Sequence, residues 1–318
     1  MKKLEEKVAP ELLAALESMS PIMEDGLSLE ELQTLWMGSI DKSQIEHSTD
    51  EIAIYDQTVA TSEQASPVLV RIYHPLNAKN QAAMPCVLWI HGGGFIAGSV
   101  YHSDRFCKNL ALACECIVVS VEYRLAPQHS HPAAIDDCYE ALLWLASEET
   151  SLPVDTCRIA VAGISGGGCL TAGVVLRARD QNGPAINLQA MIVPALDHRC
   201  DSPSYTMSDP RVLNRDKTRR LWDAYIGGNG KDVPIYASPA LAEDLSGLPP
   251  TWVSVAENDT LRDEAITYAQ RLMQADVSTD LRVYRGSFHG ALTLAPEAPV
   301  NQSLVDDLYS TIRRSFSV

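Results

Sequence analysis

Ser165 stands in Gly163-Ile164-Ser165-Gly166-Gly167, which has the form G-x-S-x-G. A serine hydroxyl becomes a useful nucleophile only when a base takes its proton and an acid orients that base. Only two histidines follow it, His198 and His289. His289 lies late in the chain in the Gly-flanked stretch Arg285-Gly286-Ser287-Phe288-His289-Gly290, and it is the expected base. Candidate acids cluster in Glu257-Asn258-Asp259-Thr260-Leu261-Arg262-Asp263, with Asp259 leading, Glu257 second and Asp263 read as a helix-start residue. Upstream runs His91-Gly92-Gly93-Gly94-Phe95. Acyl transfer builds negative charge on a carbonyl oxygen, and backbone N–H groups aimed at that oxygen lower the barrier. The N–H groups of Gly93, Gly94 and Gly166 are the expected donors, and His91 is read as structural. The pentapeptide alone is a weak signal, because Gly and Ser are common in turns and at phosphate-binding helix starts. No Lys follows these glycines, which argues against a phosphate loop.

These residues need elements that hold them. Cys86 to Ile90, Ile117 to Val121, Ile159 to Ala162, Met191 to Val193, Trp252 to Ala256 and Leu281 to Tyr284 are short apolar runs. Such runs suit parallel strands covered on both faces. Helical stretches at about 103–115, 132–147 and 167–180 alternate with them, which predicts an α/β domain. Ser165 then sits on a strand-to-helix turn, and the Gly-rich loop, the acid and His289 sit just beyond strands. That is the context the G-x-S-x-G motif requires. Ile52 to Val59 and Val68 to Tyr73 alternate apolar and polar residues, as antiparallel strands with one exposed face would. Leu304, Leu308 and Ile312 mark a closing helix.

Two segments stand outside this rhythm. Residues 1–50 read as helices, with Leu12, Leu13 and Leu16 on one face and a capping box at Ser28-Leu29-Glu30-Glu31. Residues 200–235 form an insertion too long for an ordinary connection, with a helix around Asp216 to Tyr225. Trp36 and Trp222 fall in these segments, as pocket or plain core.

The chain has 318 residues and a formal charge of -16 at pH 7, which argues against nucleic acid or an anionic membrane as partner. The N-terminal residues carry charge and proline where a signal peptide needs an apolar run. The eight cysteines include no C-x-x-C pair, so buried free thiols in a reducing cytoplasm are expected. Nothing in the sequence calls for a metal or cofactor.

Taken together, HGGGF at 91–95, Glu122-Tyr123-Arg124-Leu125-Ala126-Pro127 with Pro132-Ala133-Ala134, GISGG at 163–167, and Asp259-x-Leu261-x-Asp263-Glu264 with Phe288-His289-Gly290 resemble the hormone-sensitive-lipase-like family of α/β-hydrolases, the bacterial family IV esterases. The resemblance spans residues 65–295. It implies an α/β-hydrolase core at 51–318, a helical cap from residues 1–50 and 200–235, Asp259 as acid, and hydrolysis of short- to medium-chain carboxylic esters through an acyl-enzyme. It makes a homodimer the candidate assembly. Amide cleavage and non-catalytic ligand binding are the rival readings. The chain departs from the family's usual G-D-S-A-G-G elbow at Ile164 and Gly166, and Thr260 stands where Pro is usual.

Overall fold

The computed structural model describes residues 3–19, 26–38, 45–60, 66–78, 82–207, 209, 211–228 and 232–317. Parts of the expected N-terminal helices and insertion, at 20–25, 39–44, 208, 210 and 229–231, lie outside the described residues.

Eight strands form one sheet: β1 (Ile52–Val59), β2 (Val68–Pro75), β3 (Met84–Ile90), β4 (Ile117–Glu122), β5 (Val154–Ile164), β6 (Leu188–Ile192), β7 (Thr251–Asn258) and β8 (Thr279–Phe288). Their order is β1-β2-β4-β3-β5-β6-β7-β8. The first two strands pair antiparallel with each other, and β2 pairs antiparallel with β4. All remaining pairs are parallel. Nine α-helices are present among the described residues: α1 (Leu13–Ser18), α2 (Leu29–Met37), α3 (Asp104–Cys114), α4 (Ala133–Leu145), α5 (Gly166–Asp180), α6 (Arg215–Ile226), α7 (Arg262–Gln274), α8 (Ala291–Leu294) and α9 (Pro299–Ser315).

The apolar runs follow from cover on both faces. In β3, Cys86, Leu88 and Ile90 enter one core with α4, α5 and α7, whereas Val87 and Trp89 enter a second core with α3 and α9. Helix α5 is buried nearly all round, which explains why its sequence has no polar stripe. The capping box at Ser28 is formed: Glu31 N–H donates to Ser28 Oγ (3.1 Å), and Ser28 N–H donates to Glu31 Oε2 (2.7 Å).

The structure corrects three expectations. Strand β2 has no exposed face, because α3 and α4 pack against it. Strand β7 continues through Glu257 and Asn258, so these residues are not loop. Strand β8 runs to Phe288, so Arg285 to Phe288 are strand as well. The last point has a local cause. Ala256 faces Tyr284 and Asn258 faces Phe288, so β8 carries extra residues in a bulge around Gly286, whose φ is +74°. The Glu257 carboxylate accepts the Gly286 N–H at 2.8 Å and holds that bulge.

A buried ion cluster ties the antiparallel edge to α3. Arg71 Nε donates to Asp104 Oδ1 (2.8 Å), Tyr73 Oη donates to the same oxygen (2.6 Å), and Glu46 N–H donates to Asp104 Oδ2 (2.6 Å). The Asp104 side chain is 2% exposed and that of Arg71 6%. Removing one partner of such a pair strands the other charge. Asp104→Ala is therefore expected to cost about 3 kcal/mol of stability, read as a lowered urea midpoint.

Candidate active site

The parallel strands deliver the chemistry-bearing residues to one edge of the sheet, at their carboxyl ends. Ile90 pairs with Gly163, Ile164 with Ile192, Ile192 with Ser254, and Asn258 with Phe288. The next residues along these strands are His91, Ser165, Val193, Asp259 and His289. In open α/β sheets this edge is where ligands bind.

Ser165 occupies φ +57°, ψ −120° between β5 and α5. A non-glycine residue in such a conformation is strained and persists only where its surroundings hold it. Ser165 N–H donates to Ile192 O (2.9 Å), and Ala195 N–H donates to Ser165 O (3.2 Å). The helix must also approach β3 closely. A Cβ on Gly167 would lie 2.2 Å from Ile90 O and 2.3 Å from His91 O, so only glycine fits there.

Ser165 Oγ lies 2.9 Å from His289 Nε2, and His289 Nδ1 lies 2.7 Å from Asp259 Oδ2. The Nδ1 proton, donated to a carboxylate, leaves Nε2 free to accept from a hydroxyl. Asp259 is 1% exposed, and its second oxygen accepts the Leu261 N–H at 3.0 Å. The structure thus brings together Ser165, Asp259 and His289. It keeps the other candidates out of this chain: Glu257 holds the β8 bulge, Asp263 is bound by Arg262 Nε (2.7 Å), and His198 Nδ1 lies against Ser238 Oγ (3.1 Å).

The glycine loop folds onto the elbow. Ile96 and Ala97 N–H groups both point to Gly93 O (3.2 and 3.0 Å). Gly93 has φ +122°, and a Cβ there would fall 1.9 Å from Ala97 O. A Cβ on Gly166 would sit 3.2 Å from Phe95 N and 3.4 Å from Gly94 N, so the elbow and the loop abut. His91 is buried beneath them, its Nδ1 2.7 Å from Gly92 O and its ring stacked on Tyr123 at 4.2 Å. Burial pulls its pKa down to about 4, so the ring is neutral at pH 7.

The 122–127 block was legible as a motif but not as a mechanism. Tyr123 Oη donates to His91 O (3.0 Å), Ala126 N–H donates to Phe95 O (3.0 Å), and the Glu122 carboxylate accepts Val100 N–H (2.7 Å). Arg124 in turn grips Asp137 of α4 (2.7 Å). The block cradles both ends of the glycine loop.

Helix α6 lies over that loop. Thr218, Leu221, Trp222 and Tyr225 are buried on its inner face at helical spacing. Phe95 stacks on Tyr225 at 4.1 Å and meets Trp222 at 5.0 Å. A Cβ on Gly94 would lie 2.7 Å from Leu221 Cδ1. Ile164 faces the other way. It lines a cavity of about 20 Å³ with Val193, Tyr284, Phe288 and Leu292. A larger cavity, about 410 Å³ between Cys114, Arg158, Arg313 and Phe316, is at the opposite end of the sheet, where β4 and β5 begin.

The sequence places Glu264 in a motif but assigns it no role. Its Oε1 accepts Leu196 N–H (2.7 Å) and Asp197 N–H (3.3 Å), fastening the loop after β6 to α7. Its spacing five residues after Asp259 was visible, but burial of an acid is not. Among the described residues no group of His, Cys, Asp and Glu is placed to hold a metal ion, and no helix is long and apolar enough to cross a membrane. All eight cysteines are free thiols; seven are buried and Cys157 is exposed, which corrects the expectation for that residue. It lies in the exposed first half of β5, ahead of the buried half, and its N–H donates to Asp155 Oδ1 at 3.0 Å.

Residues 87–293 match the family described as alpha/beta hydrolase fold. The chain is 36% identical over 251 residues to esterase LipI of Mycobacterium tuberculosis, covering 78% of each. It is 36% identical over 235 residues to an arylesterase of Saccharolobus solfataricus, covering 70% of this chain and 72% of that one. A solved structure of a bacterial heroin esterase superposes with a TM-score of 0.90 at 37% identity, covering 98% of both chains. The chain belongs to the hormone-sensitive-lipase-like family of α/β-hydrolases. It is a serine hydrolase of carboxylic esters.

Burial raises the Glu264 carboxyl well above its ordinary 4.5. A raised folded-state pKa means that the favourable contribution is complete below about 4.5 and is lost as pH rises through the folded value. Glu264→Gln keeps an acceptor for both N–H groups without the charge. The difference in Tm between this variant and wild type should therefore grow more positive from about pH 5 to about pH 8 in thermal melts.

Proposed function

We propose that Ser165, His289 and Asp259 act as nucleophile, base and orienting acid in a two-step acyl-enzyme route. The observation that carries this reading is the continuous hydrogen-bond chain from Ser165 Oγ through His289 to the buried Asp259. Ser165 Oγ attacks the ester carbonyl carbon as its proton passes to His289 Nε2. Asp259 keeps the proton on Nδ1 and stabilises the imidazolium that forms. The oxyanion takes hydrogen bonds from the N–H groups of Gly93, Gly94 and Gly166, and the N-terminus of α5 adds its dipole. Collapse breaks the bond to the alcohol, which leaves with the proton from His289. Water, deprotonated by the same imidazole, then attacks the acyl carbon and releases the acid and free Ser165.

Ser165→Ala is expected to lower kcat on p-nitrophenyl butyrate by a factor near ~10⁶, with the fold intact by circular dichroism. Wild-type rates in that variant would sink the assignment. Stoichiometric labelling of the wild type by a fluorophosphonate is expected too, and an unlabelled protein would point to ligand binding in place of catalysis. Gly93→Ala should cost at least about 2.7 kcal/mol in the barrier, roughly a hundredfold in kcat, because the loop cannot keep its shape with a Cβ at that position.

The substrate reading is short- to medium-chain esters. It is supported by α6, whose Leu221 and Trp222 sit on the glycine loop and Phe95 and restrict the space above it. We assign residues 1–50 and 200–235 to a cap on the same basis. Its two parts meet: Glu5 pairs with Arg211 (2.7 Å), and Arg220 donates to Leu27 O. In a series of p-nitrophenyl esters, kcat/KM should peak between acetate and hexanoate and fall by dodecanoate. A flat series, or one rising to dodecanoate, would overturn this reading.

A further inference from the structure

Ser204 lies in a single turn of 3-10 helix, Pro203–Thr206, where the chain leaves the β6 loop for the insertion. It is 2% exposed. Buried hydroxyls in helical turns commonly bond the carbonyl three or four residues back. Its neighbour Thr206 does so, donating to Pro203 O (2.8 Å). Ser204 does not. Its Oγ donates to Thr260 O at 2.5 Å and accepts the Asp263 N–H at 3.2 Å.

Those two groups belong to the turn that begins at Asp259 and leads into α7. Inside the turn, Asp259 Oδ1 accepts Leu261 N–H (3.0 Å) and Asp259 O accepts Arg262 N–H (3.2 Å). These bonds shape the turn but do not anchor it to the rest of the molecule. Ser204 supplies an anchor from outside, at the residue after Asp259 and at the first turn of α7. Glu264, through Leu196 and Asp197, fastens the other end of the strap 195–204, the segment that carries Ser204. The strap then reaches the nucleophile through Ala195 N–H and Ser165 O.

We infer that Ser204 is a positioning residue for the reaction: its hydroxyl holds the 259–263 turn so that the Asp259 carboxylate meets His289. The inference rests on the assignment of Asp259 as the orienting acid. An aspartate 2.7 Å from the imidazole fixes the tautomer and orientation of that ring, and a loosened turn weakens this hold. Small displacements of a catalytic group cost large factors in rate.

The test compares kcat and KM on p-nitrophenyl butyrate for wild type, Ser204→Ala, Ser204→Thr and Asp259→Asn. Ser204→Ala should lower kcat roughly ten- to a hundredfold with KM within about threefold. Ser204→Thr keeps the hydroxyl and should restore kcat. If Ser204→Ala does not fold, Ser204→Cys, similar in size and a poorer donor, is read in the same way. Wild-type kcat in the Ala or Cys variant overturns the inference, as does a fall in kcat that Ser204→Thr does not restore or that comes with an equal rise in KM. Asp259→Asn separates the two levels. If it turns over like wild type, the acid assignment itself fails; if it is inactive while Ser204→Ala is unaffected, only the role of Ser204 fails.

Discussion

The backbone at Ser165, held at φ +57° and ψ −120° where β5 turns into α5, governs the arrangement around it. Such a conformation costs of order 1–3 kcal/mol and must be over-determined by its surroundings. The determinants come from three directions. The Ile192 carbonyl takes the Ser165 N–H, Ala195 N–H takes the Ser165 carbonyl, and Gly167 lets α5 press against the carbonyls of Ile90 and His91. The end of β3, the end of β6 and the start of α5 are thereby fixed with respect to one another. The glycine loop and the β6 loop inherit their places from that contact.

The partners of Ser165 depend on the other half of the sheet. Asn258 and Phe288 are paired across β7 and β8, so Asp259 and His289 emerge side by side. That pairing needs the bulge at Gly286, and the Glu257 carboxylate stabilises the bulge. An acid two residues before Asp259 thus serves strand register and takes no place in the hydrogen-bond chain. His91 is a similar case. Stacked on Tyr123 and kept neutral by burial, it forms the floor of the glycine loop. Its lowered pKa favours the fold above about 6.5, with the contribution lost as pH falls through about 4.

Much of the site was legible in the residues because its demands are steric and local. Glycines at 93 and 167 are required by close approach, and a serine between glycines after an apolar run marks a strand-to-helix turn. The order Ser165, Asp259, His289 follows from strand order along the chain. The alternation of apolar runs with helices predicted the parallel sheet, since only strands covered on both faces lack polar positions. The capping box at Ser28 formed as read, because it needs no partner beyond four residues.

Whatever depended on register or on distant partners was decided by the tertiary structure. Local sequence carries no record of the two extra residues that place His289 opposite Asp259, nor of cover on both sides of β2. Glu257 and Asp259 are both acids after an apolar run, and burial and direction alone separate their tasks. Glu264 and Ser204 contact groups far from them along the chain: Leu196 and Asp197 for the first, Thr260 and Asp263 for the second. Composition and spacing determine which residues can react and where turns must fall. Long-range pairing in the folded sheet determines which of them meet, because a hydrogen bond between such distant residues exists only once the strands between them are in register.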